Sequence, residues 1–334
     1  MIACLRRAGV EVDERHEPVW EGEWEAWRAG LRAALRLARA ELRLLGARPM
    51  GRYDAVLVGY PGHADLWAAR RAAHGAPVVF NPLVSLSDTF VADRRRFRPG
   101  SPAARALRAL DRRALRAADL VVADTRAHAD FLAELAGLDR VEVAFVGAEE
   151  RLFSPGTTDR GAHALFVGKL IPLHGVETIL EAARLAPEVP VRIVGSGQLE
   201  RLLAGRPTNV EWVPWLEYER LPDEYRSAGF ALGVFGRTEK AARVIPNKAF
   251  QALACATPLI TADTPAAREL LVDGTSALLV PAANAEALAA AMVRLAGDER
   301  LRTSLAEGGL AAYRAQASEE VLGRRWREIV ESAR

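Results

Sequence analysis

Short apolar runs alternate with longer amphipathic stretches along this chain. The apolar runs are Ala55–Gly59, Val78–Phe80, Leu120–Ala123, Val141–Val146, Ala164–Val167, Val191–Val194, Val210–Val213, Ala231–Phe235, Leu259–Thr261 and Ala277–Val280. Most are continuous rather than alternating, the mark of strands covered on both faces. Between them, helical periodicity predicts helices over Glu23–Leu45, Leu66–Ala73, Ala103–Ala117, Ala127–Ala136, Val176–Ala186 and Ala285–Leu295. Strand–helix alternation of this kind builds parallel sheets from βαβ units, so the expected class is α/β with Rossmann-like domains.

The pattern breaks at Phe153–Ala162, where Gly, Pro, Ser and Thr replace any hydrophobic period. That break divides the chain into residues 1–155, residues 156–315 and a closing amphipathic helix, about Ser318–Ala333, free to cross back to the first domain. At the other end, Met1–Ala8 reads as the end of a helix and Val10–Glu14 as a strand. A doubly wound domain normally opens with a strand and a loop, so the pattern lacks its opening βα unit.

Composition narrows the function. The chain has 334 residues, half of them hydrophobic, enough for two cores. Its net charge of +2 gives no global case for nucleic-acid binding. No apolar run approaches the ~20 residues needed to span a bilayer. Cys4 and Cys255 fit no metal spacing and read as reduced thiols of a cytoplasmic protein. Of 45 basic residues only Lys169, Lys240 and Lys248 are lysine; the other 42 are arginine. A lysine is a compact charge suited to close approach by phosphate oxygens, and each of the three falls in a strand-to-helix segment.

Gly168 and Lys169 end one strand and lead to a helix through His174 and Gly175. A glycine at a strand end lets backbone approach a ligand, and a cation there favours an anion. Gly195 and Gly197 follow the next strand; with Glu at 200 they do not complete a dinucleotide fingerprint. Residues 235–248 begin at a strand end and finish at a helix start. Asn247 is read as the N-cap of that helix. Lys240, Arg243 and Lys248 surround its N–H groups, an arrangement that opposes the helix dipole unless an anion is present. Glu269 is placed either on ribose hydroxyls or in a first-turn cap. In the first half, two strand-end loops bring His63, Asp65, Asn81 and Asp88 toward the same crevice. The segment Arg94–Arg116 holds nine arginines and one acid, Asp111, and reads either as a solvated helix or as a peripheral contact with anionic membrane lipid.

Together these motifs resemble the family 4 retaining glycosyltransferases of the GT-B fold. The resemblance runs from about Gly161 to Tyr313, through Phe166-Val-Gly-Lys-Leu170, His174-Gly-Val-Glu-Thr-Ile179, Gly195-Ser-Gly197, Asn209-Val-Glu-Trp212, Leu221-Pro-Asp-Glu-Tyr225, Gln251–Pro258 and Ala267–Gly274. Ala118–Thr125, Val146–Glu149 and Phe153–Pro155 look like the end of the family's N-terminal domain.

The resemblance implies two domains facing across a cleft, a nucleotide-diphosphate sugar as co-substrate held by the C-terminal domain, and retention without a metal or other cofactor. It implies diphosphate binding by Gly168, Lys169, Arg243, Asn247 and Lys248. Nucleoside binding falls to Gly195, Gly197, Glu217, Tyr218 and Glu269. Asp88 and His63 would orient a glycan, lipid-linked or small-molecule acceptor, and Gln251 would bond donor hydroxyls. The family's paired glutamates would fall at Arg243 and Gln251, its second basic residue at His174, and its N-domain histidine near Asn81 and Pro82. Two rival readings are a nucleotide-sugar 2-epimerase, which needs proton-moving groups in the crevice, and a nucleotide-sugar binder without turnover.

Overall fold

The computed structural model describes residues 1–17, 19, 31–46, 51–157 and 160–334. The N-terminal part runs α1 (Ile2–Arg7), α2 (Leu31–Gly46), β1 (Val56–Val58), α3 (Leu66–Ala73), β2 (Val78–Phe80), a π-helix (Asp88–Asp93), α4 (Pro102–Ala117), β3 (Leu120–Ala123), α5 (Arg126–Ala136) and β4 (Glu142–Val143). The strands pair in parallel in the order β1-β2-β3-β4. Alternate residues of each strand serve opposite faces. Val78, Phe80, Val121 and Ala123 pack with α3, α4 and α5, while Val79, Leu120 and Val122 face the other way. That is why the runs read as continuously apolar. The start of the expected Glu23–Leu45 helix lies outside the described residues. Val10–Glu14 is not a strand: it pairs with no strand of the described sheets.

The second part runs β5 (Ala164–Val167), α6 (Val176–Leu185), β6 (Val191–Val194), β7 (Val210–Val213), α7 (Leu221–Ser227), β8 (Phe230–Leu232), α8 (Glu239–Arg243), α9 (Asn247–Ala254), β9 (Leu259–Ala262), α10 (Pro265–Arg268), β10 (Leu278–Val280), α11 (Ala285–Gly297), α12 (Glu299–Gln316) and α13 (Glu319–Ser332). Its parallel sheet has the order β10-β9-β8-β5-β6-β7. The chain winds outward from β5 to β7, then returns to β8 on the other side of β5. The winding reverses between β5 and β8, and open α/β sheets hold ligands at the carboxyl ends of strands flanking such a switch. Gly168 and Lys169 stand at that point.

Helix α13 leaves the second part and covers the open face of the first sheet. Leu322, Trp326 and Ile329 pack with Cys4 and Leu5 of α1 and with Val79 and Val122. Arg7 seals the seam with Glu150 at 2.8 Å and Glu319 at 3.1 Å. The segment at the break in pattern is packed rather than bare. Phe153 is 1% exposed, and its ring meets Tyr218 and Tyr225 in the second core. Both cysteines are buried free thiols.

Candidate functional site

The floor of the cleft is the turn after β5. Gly195 sits so close to it that a Cβ would lie 2.0 Å from the Gly168 carbonyl oxygen, and Gly195 holds φ at 138°. Gly197 lies against Leu170 in the same way, with Leu170 N–H donating to the Ser196 carbonyl at 2.9 Å. These glycines therefore knit two strand-end turns together, a backbone reason for their presence whatever they bind. At Gly168 an added Cβ would meet the Lys248 Nζ at 2.8 Å.

Lys248 is the centre of the arrangement. It lies in the first turn of α9, 6% exposed, and its Nζ has no hydrogen-bond partner. Its ammonium stands 4.2 Å over the Phe166 ring. Burial drives its pKa well below the ordinary lysine value. An unpaired buried cation is costly and calls for an anion. The helix that carries it is open as well. Pro246 occupies the N-cap position and provides no side-chain cap. Asn247 is the first helical residue, with its side chain exposed, so the expected Asn247 cap is corrected. Uncapped amides and a buried ammonium thus face one spot.

His174 closes the back of this spot. Its Nδ1 donates to the Lys169 carbonyl at 2.5 Å, and its ring packs edge-on to Phe166. Burial, then the charge of Lys248, hold its pKa well below the usual histidine range, so the ring is neutral. Lys169 is solvent-accessible, yet desolvation by the cleft walls and the charge of Arg94 lower its pKa.

The residues expected to meet the nucleoside, Glu217 and Tyr218, lie beyond β7. Glu217 is exposed, and Tyr218 is 42% exposed beside Phe153. Gln251 belongs with them: its Oε1 accepts from Tyr225 Oη at 3.2 Å, and Tyr218 hydrogen-bonds the same side chain. These two tyrosines hold the Gln251 side chain at the start of the cleft beside α7 and α9.

Glu269 is a correction. Both carboxylate oxygens are taken by the other domain, accepting from Arg126 N–H at 2.6 Å and Ala127 N–H at 2.9 Å. It caps the start of α5 across the cleft, not the first turn of its own helix. Arg243 is another. Its guanidinium pairs with Asp88 at 3.0 Å and lies 4.0 Å over the Phe131 ring, and Thr125 Oγ1 donates to its carbonyl. The expected phosphate ligand and the expected acceptor-orienting acid thus neutralise each other. Lys240 also reaches across, to Thr89 at 2.8 Å and Asp93 at 3.9 Å.

His63 does not face the cleft as a free group. It is 6% exposed; Nε2 lies 3.1 Å from Asp111 and Nδ1 donates to the Pro61 carbonyl. Asp111 also accepts from Ser85 and from the Leu86 and Ser87 amides. Burial opposes its ionisation, but these bonds prevail and lower its pKa. The pair pins two loops of the N-terminal domain.

The arginine-rich segment is not one solvated face. Arg112 and Arg116 donate to the Leu135 and Ala136 carbonyls at the end of α5, Arg113 lies over Trp67, and the charge of Arg94 acts on Lys169. Motif reading also passed over a buried Asp124–His128 pair at the end of β3; its strand-end position was the available signal. Among the described residues no three His, Cys, Asp or Glu converge as metal ligands, and no helix is long and apolar enough to cross a membrane.

Two family models match the chain: the Glycosyl transferase 4-like domain over residues 1–149 and Glycosyl transferases group 1 over residues 161–298. Among curated relatives, a D-inositol 3-phosphate glycosyltransferase of Nocardioides is 28% identical, aligning 92% of this chain with 73% of its own length. One from Acidothermus cellulolyticus is 29% identical over 81% of this chain and 66% of its own. Of solved structures, the sucrose-phosphate synthase of Thermosynechococcus elongatus superposes with a TM-score of 0.73 at 18% identity, over 90% of this chain and 78% of that one. HepE of Anabaena, in complex with UDP-glucose, gives 0.68 at 16% identity, over 91% and 84%. Parallel sheets, switch-point cleft and both family models agree: the chain belongs to the group 1 glycosyltransferases of family 4, with the GT-B fold.

Proposed function

We propose that this chain moves a sugar, with retention, from a nucleoside-diphosphate sugar to a glycan, lipid-linked or small-molecule acceptor. The observation that carries this is Lys248 Nζ, buried without a partner at the uncapped start of α9 and against Gly168. A diphosphate there receives the Lys248 ammonium, the Lys169 ammonium and the α9 amides. These charges are worth most when the glycosidic bond breaks and the leaving phosphate gains charge, so they favour the transition state over the bound donor. The leaving phosphate oxygen takes the acceptor's proton on the same face, which yields retention and asks for no protein nucleophile and no resident metal. Neutral His174 lends its position to the pocket without adding a competing charge. Tyr218, Glu217 and Gln251 lie where the nucleoside extends. HepE holds UDP-glucose, which makes uridine the first base to try. The epimerase reading fits less well, because His63 is engaged with Asp111 and Pro61.

Titration calorimetry with UDP, GDP and ADP tests the donor site. One diphosphate should bind in the micromolar range, and Lys248→Ala should remove that binding while the protein stays folded. Transfer from the matching sugar nucleotide, with the product anomer read by NMR, then tests turnover and retention. Binding of none of the three would overturn the donor assignment.

A further inference from the structure

The N-terminal wall of the cleft offers one cation that the diphosphate site above does not use. Arg94 directly follows the π-helix Asp88–Asp93, and its N–H donates to the Thr89 carbonyl at 2.9 Å. The next residue, Arg95, takes a left-handed φ of 50°, and Arg96 N–H returns to the Phe90 carbonyl at 2.8 Å. A π-turn and a left-handed non-glycine residue are each unfavourable alone, and proteins keep such backbone where it aims something.

The π-helix is docked on α8, through Asp88 to Arg243 and through Thr89 and Asp93 to Lys240. Its i to i+5 winding brings Asp88 and Asp93 to one side. Asp93, the residue just before Arg94, hydrogen-bonds the Leu173 backbone beside His174, which sets this end of the π-helix against the cleft floor. There the charge of Arg94 is felt by Asp93, Lys240 and Lys169. The Arg94 side chain is half-buried, and its Nε is buried without a hydrogen-bond partner.

The charges around this floor do not balance. Arg94 and Lys240 come from opposite walls, and Lys169 and Lys248 flank Gly168. Asp88 is committed to Arg243 and Asp124 to His128, which leaves Asp93 as the carboxylate that faces the group. Like charges held close in a poorly solvated place repel, and a bound anion relieves that. A guanidinium is suited to the task, since its planar fork takes two oxygens of one phosphate.

We propose that Arg94 binds the donor's diphosphate from the N-terminal wall, so that the anion is clamped between the two domains. This rests on the donor site described above. It makes the diphosphate itself a tie between domains, and it separates diphosphates from monophosphates, which reach only the C-terminal half of the clamp.

The test compares the wild-type chain with Arg94→Gln and Arg94→Lys, using UDP, GDP and ADP beside UMP, GMP and AMP. The diphosphate that binds wild type should bind Arg94→Gln about 10- to 100-fold more weakly, while its monophosphate changes by less than about threefold. Arg94→Lys should recover part of the loss. The free Arg94→Gln protein should melt at or above the wild-type temperature, since a like charge has left the cluster. Unchanged diphosphate affinity in Arg94→Gln would overturn the proposal. So would an equal loss of both nucleotides with a lower melting temperature, which would mark Arg94 as a structural residue. Wild type that binds no diphosphate would overturn the donor site first, and this inference with it.

Discussion

Lys240 and Lys248 sit on consecutive helices, α8 and α9, and both are buried, yet their surroundings are opposite. Lys240 crosses the cleft to Thr89 and Asp93, and its neighbour Arg243 crosses to Asp88. Lys248 stays within its own domain and meets no acceptor at all. Burial lowers the pKa of both; at Lys240 the charges of Asp93 and Asp88 push back, and at Lys248 nothing does. The first region is a finished contact between domains, the second an unfinished one that a ligand completes. A cation that already has its carboxylate holds structure. A cation without one marks the place where charge arrives from outside.

The strongest way to break this comparison is Lys248→Met, which keeps the length and removes the charge. Diphosphate affinity should fall by about 100-fold or more, as expected for a desolvated charged contact. The free protein should become more stable by roughly 2–3 kcal/mol, because an unpaired buried charge is gone. The pH dependence has a definite sign. The folded-state pKa of Lys248 lies below the unfolded value, so unfolding takes up a proton between the two. Wild-type stability from this group therefore rises with pH across the window from the depressed folded value to about 10.5, and the advantage of Lys248→Met shrinks over the same window. Chemical denaturation of both proteins at several pH values checks it. A constant difference, or a less stable Lys248→Met, would remove the case for an unfinished site.

Next in size is Lys169→Ala. Lys169 is solvent-accessible and loses less desolvated contact, so diphosphate affinity should fall by about 10-fold. Calorimetry at low salt reads it, and an effect as large as that of Lys248→Met would mean the two lysines share the site equally.

How much of this was legible depends on which residues interact with near neighbours. Val78–Phe80, Leu120–Ala123, Ala164–Val167, Val191–Val194 and Val210–Val213 read correctly to the residue, because both faces of the first four are covered, while the edge strand Val210–Val213 keeps an apolar face around the exposed Glu211. Lys248 was legible for a similar reason: a cation at a helix start conflicts with the dipole, and that conflict is local. What stayed hidden were partnerships between distant segments. Glu269 reads as a first-turn acid, but its partners are Arg126 and Ala127. His63 reads as a cleft histidine, but Asp111 claims it. Asn247 reads as a cap, but Pro246 holds the turn. The π-helix over Asp88–Asp93 has no simple periodicity, so neither it nor the aim of Arg94 shows in the string of letters.

The finished side of the comparison is tested by Asp88→Asn. The pair with Arg243 lies between domains and is mostly shielded from solvent. Its loss leaves Arg243 without a carboxylate partner there, so domain closure should become less favourable. Turnover should drop by about 10-fold, while diphosphate affinity changes less than in Lys169→Ala. Small-angle scattering of the free protein should show a larger radius of gyration. A diphosphate affinity loss equal to that of Lys169→Ala would place Asp88 in the ligand site instead of the domain contact.

The smallest expected effect is at Glu269, where the contact between domains is a helix cap rather than an ion pair. Its carboxylate takes the first two amides of α5 and sits at the positive end of that helix. Glu269→Gln keeps one acceptor oxygen and removes the charge, and caps of this kind contribute about 1 kcal/mol. In a chain longer than 250 residues that amounts to a melting shift of about 2 °C. Thr125 already accepts from His128 N–H at 3.0 Å, so α5 itself remains capped and the fold survives. Scanning calorimetry at two salt concentrations separates the parts: the dipole contribution should weaken with salt, while the hydrogen bond should not. Glu269→Gln should leave diphosphate affinity within about twofold of wild type. A larger loss would return Glu269 to the ribose and undo its assignment to the domain contact.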